Sequence, residues 1–360
     1  MIRYLFVTGV TFWCTTNSGT CCSGSVTVGA PFGGWRVGVL RARYAVVDPE
    51  AHGLPPGDLG SWRHERGADM DTLALADGRS LDLRITGPGD GDVLVFFHGT
   101  PGAAVSAPHL ERAATDRGLR LVRWSRPGYG DSTRQPGRSI VDIVDDARQV
   151  LAALDVDTCV VGGWSGGGPH ALACAARLDA ARAVVCGAGV TPFEADGIDF
   201  TADMGQDNID EFAAAATGED VLRPWLAEAA QGMAGTTLEG LMASMDTLLP
   251  PVDRAVLTGE VGASMLASMD EALRTGIDGW LDDDLAFVKP WGFDLSEIDV
   301  PVSLWQGDED LMVPFAHGRW LAAHLPTARV HLLEGEGHIS IFVGAIGAIL
   351  DDVLAAGGPA

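Results

Sequence analysis

Short, strand-like runs alternate with helical stretches between residues 92 and 189, and this alternation restricts the fold more than any other feature of the chain. The strand readings are DVLVFF (92–97), which is apolar throughout, LRLVRW (119–124), TCVVGG (158–163) and ARAVVCGAG (181–189). A strand that is apolar along its whole length must be covered on both faces, which calls for a mainly parallel sheet with helices on either side. The intervening segments supply those helices. In SIVDIVDDARQVLAAL (139–154), Ile140, Ile143, Val144, Val150, Leu151 and Leu154 share one helical face. Helices are also expected around 107–117 and over GGPHALACAARL (167–178). Upstream, TLALADGRSLDLRIT (72–86) reads as two strands joined at Asp77-Gly78, a hairpin signal. The alternation stops near Thr191-Pro192 and resumes with the strand VPVSLWQG (300–307), a helix over 315–325, the strand ARVHLLEG (328–335) and a closing helix around 340–355. The residues between, including NIDEFAAAATG, DVLRPWLAEAAQGM and ASMLASMDEALRTG, carry helical patterns and form an insertion on the sheet.

Composition narrows the partners. Hydrophobic residues make up 47% and charged residues 20% of the 360, enough for a substantial core. The net charge is -25, and Lys289 is the only lysine. That balance argues against nucleic acid and anionic membranes, both of which need clustered cations. The expected partner is a small-molecule substrate. Residues 1–66 depart from the rest: six Arg against four acids give +2, so the remainder carries -27. Gly, Ser, Thr and Pro dominate there without period, and YLFVTGVTFW is a poor signal peptide with no clean cleavage site. We expect residues 1–66 to be a disordered or non-native extension, with Met70 as an alternative start, and a cytoplasmic chain. No run is judged apolar and long enough to span a bilayer. The cysteines show neither metal-ligand spacing nor a disulfide framework, so no metal or cofactor is expected.

The stretch CVVGGWSGGGPHALACAA (159–176) sets a glycine run between a buried strand and a helix. Two chemistries use that arrangement. Gly163-Trp164-Ser165-Gly166-Gly167 fits G-x-S-x-G, in which a serine on a sharp, strained turn is lifted above the sheet at a helix N-terminus. Gly166-x-Gly168-x-x-Ala171 fits a loose dinucleotide loop, but Pro169 falls inside it, no ribose-binding acid follows at about twenty residues, and it lies late in the domain. A phosphate loop ending in Gly-Lys is excluded, because the one lysine is distant.

A nucleophilic serine needs a base and an orienting acid at later strand ends. Asp310, with Asp308 second, follows the strand at 300–305, and His338 lies in GEGHIS after the last strand. Ser165 is then the nucleophile, His338 the base and Asp310 the orienting carboxylate. The backbone N–H groups of Thr100, in His98-Gly99-Thr100-Pro101-Gly102, and of Gly166 are the expected oxyanion donors. His98 is expected to pack under its loop, and His317, His324 and His331 to be structural.

FFHGTPG, RWSRPGYGDS, GGWSGGGPHALA, PVSLWQGDEDLMVP and GEGHIS occur in this order, and with them the chain resembles the α/β-hydrolase fold superfamily over roughly 70–355. The resemblance implies an eight-stranded, mostly parallel sheet with helices on both faces, a core of 70–190 and 295–357, and a helical lid over 191–294. It also implies a structural role for Arg126 and Asp131. HGTPG is similar to the corresponding loop of proline iminopeptidases, epoxide hydrolases and dehalogenases, but the last two use Asp where this chain has Ser165. Trp164 is expected to contact substrate. Met233, Met242, Met245, Met265, Met269, Trp225 and Trp280 are expected mostly to pack the lid helices together, and Asp282-Asp283-Asp284 to be a solvated acidic turn. The implied activity is cofactor-independent serine hydrolysis of small to medium apolar carboxylic esters. An aminopeptidase or amidase, a carbon–carbon bond hydrolase, a perhydrolase, or a non-hydrolytic ligand-binding member of the fold are the alternatives.

Overall fold

The structure is a computed structural model that describes residues 6–7, 10–11, 62–63 and 71–358. The expectations for residues 1–66, the Met70 start and Cys14, Cys21 and Cys22 lie almost wholly outside those residues. The chain divides into two compact units, Met1–Gly57 and Asp58–Ala360. In the first, β1 (Phe6–Val7) pairs antiparallel with β2 (Val10–Thr11).

The second unit holds a nine-stranded sheet. All eight expected strands are present: β4 (Asp71–Ala74), β5 (Ser80–Thr86), β6 (Asp92–Phe97), β7 (Leu119–Trp124), β8 (Cys159–Trp164), β9 (Ala181–Gly187), β10 (Val302–Gly307) and β11 (Ala328–Leu333). A two-residue strand, β3 (Trp62–Arg63), extends the β4 edge as a ninth. The order is β11-β10-β9-β8-β6-β7-β5-β4-β3, parallel from β11 to β7 and antiparallel beyond. Asp77-Gly78 turns the β4–β5 hairpin as expected, with Gly78 at φ +88°. The chain runs from β6 outward to β7 and returns to place β8 on the other side of β6. At such a reversal the loops after the two central strands diverge and leave a crevice at their carboxyl ends. His98 follows β6 there, and Ser165 follows β8.

Helices α2 (Ile143–Ala153, after a 3-10 turn), α3 (Gly167–Arg177) and α10 (Phe315–His324) cover one face of the sheet. Helices α1 (Pro108–Thr115) and α11 (Ser340–Gly357) cover the other. Alternation along β8 assigns its side chains: Cys159 and Val161 join the first core, Val160 and Trp164 the second. Each large aliphatic side chain withdrawn from water in these layers contributes about 1.5–3 kcal/mol. Helix α11 corrects one expectation, because among the described residues it alone has the length and apolarity of a membrane span, with a mean hydropathy of 1.7. Its Ile341, Ile346, Ile349, Leu350 and Val353 are buried in the second core, which accounts for that composition.

Between β9 and β10 lie six helices: α4 (Gln206–Thr217), α5 (Glu219–Met233), α6 (Leu238–Ser244), α7 (Pro251–Val256), α8 (Gly259–Leu273) and α9 (Asp278–Phe287). They build two apolar clusters, one around Leu222, Leu226 and Trp280 and one around Leu241, Met245 and Leu257. Asp282, Asp283 and Asp284 are 2%, 0% and 1% exposed, so they are not a solvated turn. They sit inside α9, where arginines from the core meet the first two.

Candidate active site

Ser165 occupies the turn between β8 and α3 with φ +56°, the left-handed conformation that costs a residue with a Cβ on the order of 1–3 kcal/mol. Its neighbours make that turn possible. A Cβ on Gly163 would overlap the Gly167 carbonyl, and one on Gly167 would overlap the Phe97 carbonyl of β6. The strand and helix therefore close on each other only with glycine at both positions. Ser165 N–H donates to the Gly187 carbonyl at 2.9 Å, tying the turn to β9.

Asp310 and His338 come together as expected, with Asp310 Oδ2 2.7 Å from His338 Nδ1. The N–H groups of Met312 and Val313 donate to Asp310 Oδ1, and Gln306 Nε2 to Oδ2, so the carboxylate is aimed by its own loop. Asp308 is turned away and accepts the Gly335 N–H. Burial by itself lowers the basicity of His338. The charge and hydrogen bond of Asp310, with the charge of Asp253, outweigh it and hold the imidazole above its ordinary value. The backbone of His338 is also held: its N–H donates to Asp253 Oδ2 at 2.9 Å, and its carbonyl accepts Trp164 Nε1–H at 3.2 Å. Every polar atom of this residue except Nε2 thus has a protein partner. No hydrogen bond joins Ser165 Oγ to His338 among the described residues. The connection between their loops runs through Trp164.

That corrects the expectation for Trp164. It lies on the α11 face of the sheet, packs on Phe342 at 4.7 Å between ring centroids, and does not line the cavity that Ser165 faces. Strand alternation sends it to the side opposite its glycine neighbour Gly163, under the loop that carries His338.

The cavity has a volume of about 340 Å³, in the range of small-molecule sites. Ser165, Gly166 and Thr100 form one part of its wall, and the insertion supplies much of the rest. Trp225, Trp280, Met233, Met245 and Met269 line it, so the expectation that most of the seven pack only within the insertion is overturned; Met242 and Met265 pack among the insertion helices. Asp207, Glu211 and Glu228 also reach the cavity, and among the described residues no Lys, Arg or His lines it. Burial pushes Glu211 up to about 6, and Trp280 Nε1–H donates to it at 2.6 Å. Burial and the neighbouring Glu211 also push Asp284 well above the carboxylate range.

Thr100 and Gly166 are brought side by side: a Cβ on Gly166 would collide with the Thr100 side chain. Among the described residues, neither the Thr100 nor the Gly166 N–H donates to a protein acceptor. The Thr100 loop is fixed from behind by Arg126, which is fully buried. Arg126 donates to the carbonyls of His98 and Gly99, to Thr100 Oγ1 at 2.8 Å, and to Asp283 Oδ2 at 2.5 Å. Asp283, from the insertion, also accepts from Thr100 Oγ1, Tyr129 Oη and Arg138 Nη1 at 2.6–2.9 Å. Burial would raise the Asp283 carboxyl, but the charges of Arg126 and Arg138 hold it well below the usual range. His98 accepts the Arg126 N–H at Nε2 and bonds Gly99 O through Nδ1. Burial and the Arg126 charge keep it neutral, so it packs the loop as expected. Arg126 has the expected structural role, while Asp131 reaches out to Arg274 at 2.9 Å. Sequence reasoning missed Asp253, Asp283 and Arg138, whose contacts lie far away in the chain and carry no local pattern.

A serine turn after the fifth strand of the core, an Asp–His pair after the last two strands and a helical insertion above the crevice are together the arrangement of a hydrolase-type α/β domain. A sequence profile of the alpha/beta hydrolase family matches residues 94–346, and the chain belongs to that family. It is 27% identical over 274 residues to a non-heme chloroperoxidase of Streptomyces lividans, covering 75% of this chain and 93% of that protein. Among solved structures it is similar to an enol-lactonase from Burkholderia xenovorans (TM-score 0.57, 21% identity, 79% of this chain and 99% of that one). It is also similar to an esterase from Rhodococcus (TM-score 0.56, 21% identity, 79% and 99%).

Proposed function

We propose that this hydrolase is a cofactor-independent serine hydrolase of small to medium apolar carboxylic esters, with the insertion serving as its lid. The observation that carries the reading is Ser165, held in a left-handed turn on the wall of a largely apolar cavity while the preceding residue grips the loop of His338. In the reaction Ser165 Oγ attacks the ester carbonyl and His338 Nε2 takes its proton. The resulting imidazolium is stabilised by Asp310 at Nδ1. The Thr100 and Gly166 N–H groups donate to the oxyanion. Collapse expels the alcohol, which receives the proton from His338, and leaves an acyl group on Ser165. Water, deprotonated by His338, then releases the acid. The reaction requires Ser165 Oγ and His338 Nε2 to come within hydrogen-bond reach as substrate binds.

A fluorophosphonate probe is expected to label the protein once, at Ser165, and to label neither Ser165→Ala nor His338→Ala at a comparable rate. Failure of the intact protein to label overturns the reading. A second reading, an aminopeptidase, is favoured by one observation: among the described residues, three carboxylates and no cation line the cavity, which suits a substrate ammonium group. p-Nitrophenyl esters of increasing chain length, run beside Pro-naphthylamide, decide between the two.

A further inference from the structure

Asp253 is a fully buried carboxylate that belongs to the insertion yet makes its hydrogen bonds to the core. Its Oδ2 accepts the His338 N–H at 2.9 Å, and its Oδ1 accepts the N–H groups of Ile339 and Ser340 at 2.9 and 2.8 Å. Three consecutive donors at the start of α11 thus converge on one side chain from another part of the chain. An α-helix leaves its first N–H groups unpaired, and a residue just before the helix normally satisfies them. Here the cap comes from α7. The fit is specific, since a Cβ on Gly337 would run into the Asp253 carboxylate. Nothing about helix stability alone requires the cap to come from the insertion, because a local Ser, Thr or Asp would serve α11 equally well. The choice of a remote cap ties the position of His338 to the position of the insertion.

We propose that Asp253 is a positioning residue for His338, through which the insertion that covers the cavity also sets the backbone and charge environment of the base. The proposal rests on the serine hydrolase reading above. The division of labour is plain in the contacts. Asp310 orients the imidazole ring at Nδ1, Trp164 holds the carbonyl of His338, and Asp253 holds its N–H. The charged groups that face His338 are Asp310, from the loop after β10, and Asp253, from α7; Glu336, on the same loop as His338, turns to Ser340 Oγ instead. Both carboxylates favour the imidazolium that forms when Ser165 gives up its proton. A shift of α7 would therefore change His338 in two ways at once, in place and in basicity.

The test is Asp253→Asn, assayed with a p-nitrophenyl ester on protein whose active sites are counted by fluorophosphonate titration. Asn has nearly the same shape but lacks the charge, and its amide nitrogen cannot accept an N–H. The expected result is a fall in kcat per titrated site of about tenfold to a hundredfold, the scale of a small misplacement of a catalytic group. KM should stay nearly constant, and the acid limb of the kcat/KM profile should move to lower pH, because one of the two carboxylates supporting the imidazolium is gone. A merely structural role would reduce the number of titrated sites and leave kcat per site and the limb where they were; that result overturns the proposal. Asp253→Glu gives a second reading should the Asn protein not accumulate. It keeps the charge and displaces it by one methylene, so kcat should fall while the limb stays, and unchanged kcat per site would overturn the proposal. If the wild-type protein itself does not label, the serine hydrolase reading fails instead, and the two failures are distinct.

Discussion

His338 and Asp283 are both buried, both flanked by opposite or complementary charge, and both linked to a loop that borders the cavity, yet they are satisfied to different degrees. Asp283 has four partners around its two oxygens: Arg126, Arg138, Tyr129 and Thr100. His338 has a partner at each polar atom but Nε2. A buried charge with every lone pair occupied has no capacity left for a reacting molecule. It can only hold things in place, and it is costly to disturb. A buried imidazole with one nitrogen free of protein partners among the described residues keeps that capacity at a single position. On the serine hydrolase proposal, the difference separates a strut from a reacting group.

The largest effect that would sharpen this contrast is on the reacting side. Asp310→Asn should lower kcat by about 10⁴-fold, because an amide in place of the carboxylate favours the wrong imidazole tautomer and no longer stabilises the imidazolium. Steady-state kinetics on an ester would show it. A loss of less than tenfold would mean that the Asp310–His338 pair is another strut. On the structural side, Asp283→Ala should cost about 3–5 kcal/mol in denaturant unfolding, since it strands two buried guanidiniums. The folded fraction should retain a reactive Ser165. Wild-type stability in that variant would break the comparison from the other end.

The two regions also differ in how far the chain announced them. Ser165, Asp310 and His338 are each encoded beside a strand end, within a few residues of glycines or turn formers, so local pattern and order along the chain located them. Local pattern also located the strands: DVLVFF because a strand buried on both faces is apolar throughout, and the β4–β5 pair because Asp77-Gly78 marks a hairpin turn. Asp283 and Asp253 offer no such handle. Each is one of 49 acids, and what makes them special is a partner 145 residues away for Arg138–Asp283 and 85 for Asp253–His338. The acidic run Asp282-Asp283-Asp284 reads as solvated because unpaired charge belongs in water. It is buried because Arg126, Arg134 and Arg138 arrive from a distant loop. Trp164 was misread for a related reason: adjacency to Ser165 in sequence places it on the opposite side of the strand in space.

Protonation should pull the two kinds of buried group apart. His338 is held above the ordinary imidazole value, and a base must be neutral to act, so kcat/KM should rise with pH along a limb centred above about 6.5. The structural histidines run the other way. Burial lowers His98 well below its usual value, His170 to about 3 and His317 to about 4, so each stays neutral when folded. The unfolded chain takes up protons on these groups as the pH falls below about 6.5, and the folded chain does not. Their contribution to stability is therefore present above that pH and lost below it. His338, whose folded value is raised, opposes this only between its unfolded and folded values. The histidine part of the stability, read from denaturation midpoints, should decline below about pH 6.5, against the opposite contribution of Glu211 and Asp284, whose raised carboxyls keep their protons in the folded chain, while activity is already falling at the upper end of that range. Coincident activity and stability curves would erase the distinction between the two classes.

The smallest effect tests the link between the serine turn and the base. Trp164→Phe keeps an aromatic ring against Phe342 but removes the N–H that the His338 carbonyl accepts. One neutral hydrogen bond of this kind contributes about 0.5–1.5 kcal/mol, so kcat should fall by roughly two- to tenfold if its loss is felt by the placement of His338. Because Trp164 does not line the cavity, KM should stay the same across p-nitrophenyl esters of increasing chain length. A KM that changes with acyl length would put Trp164 in contact with substrate. It would then belong to the selecting side of the site, and its hydrogen bond to the His338 carbonyl would serve substrate contact as well as placement of the base.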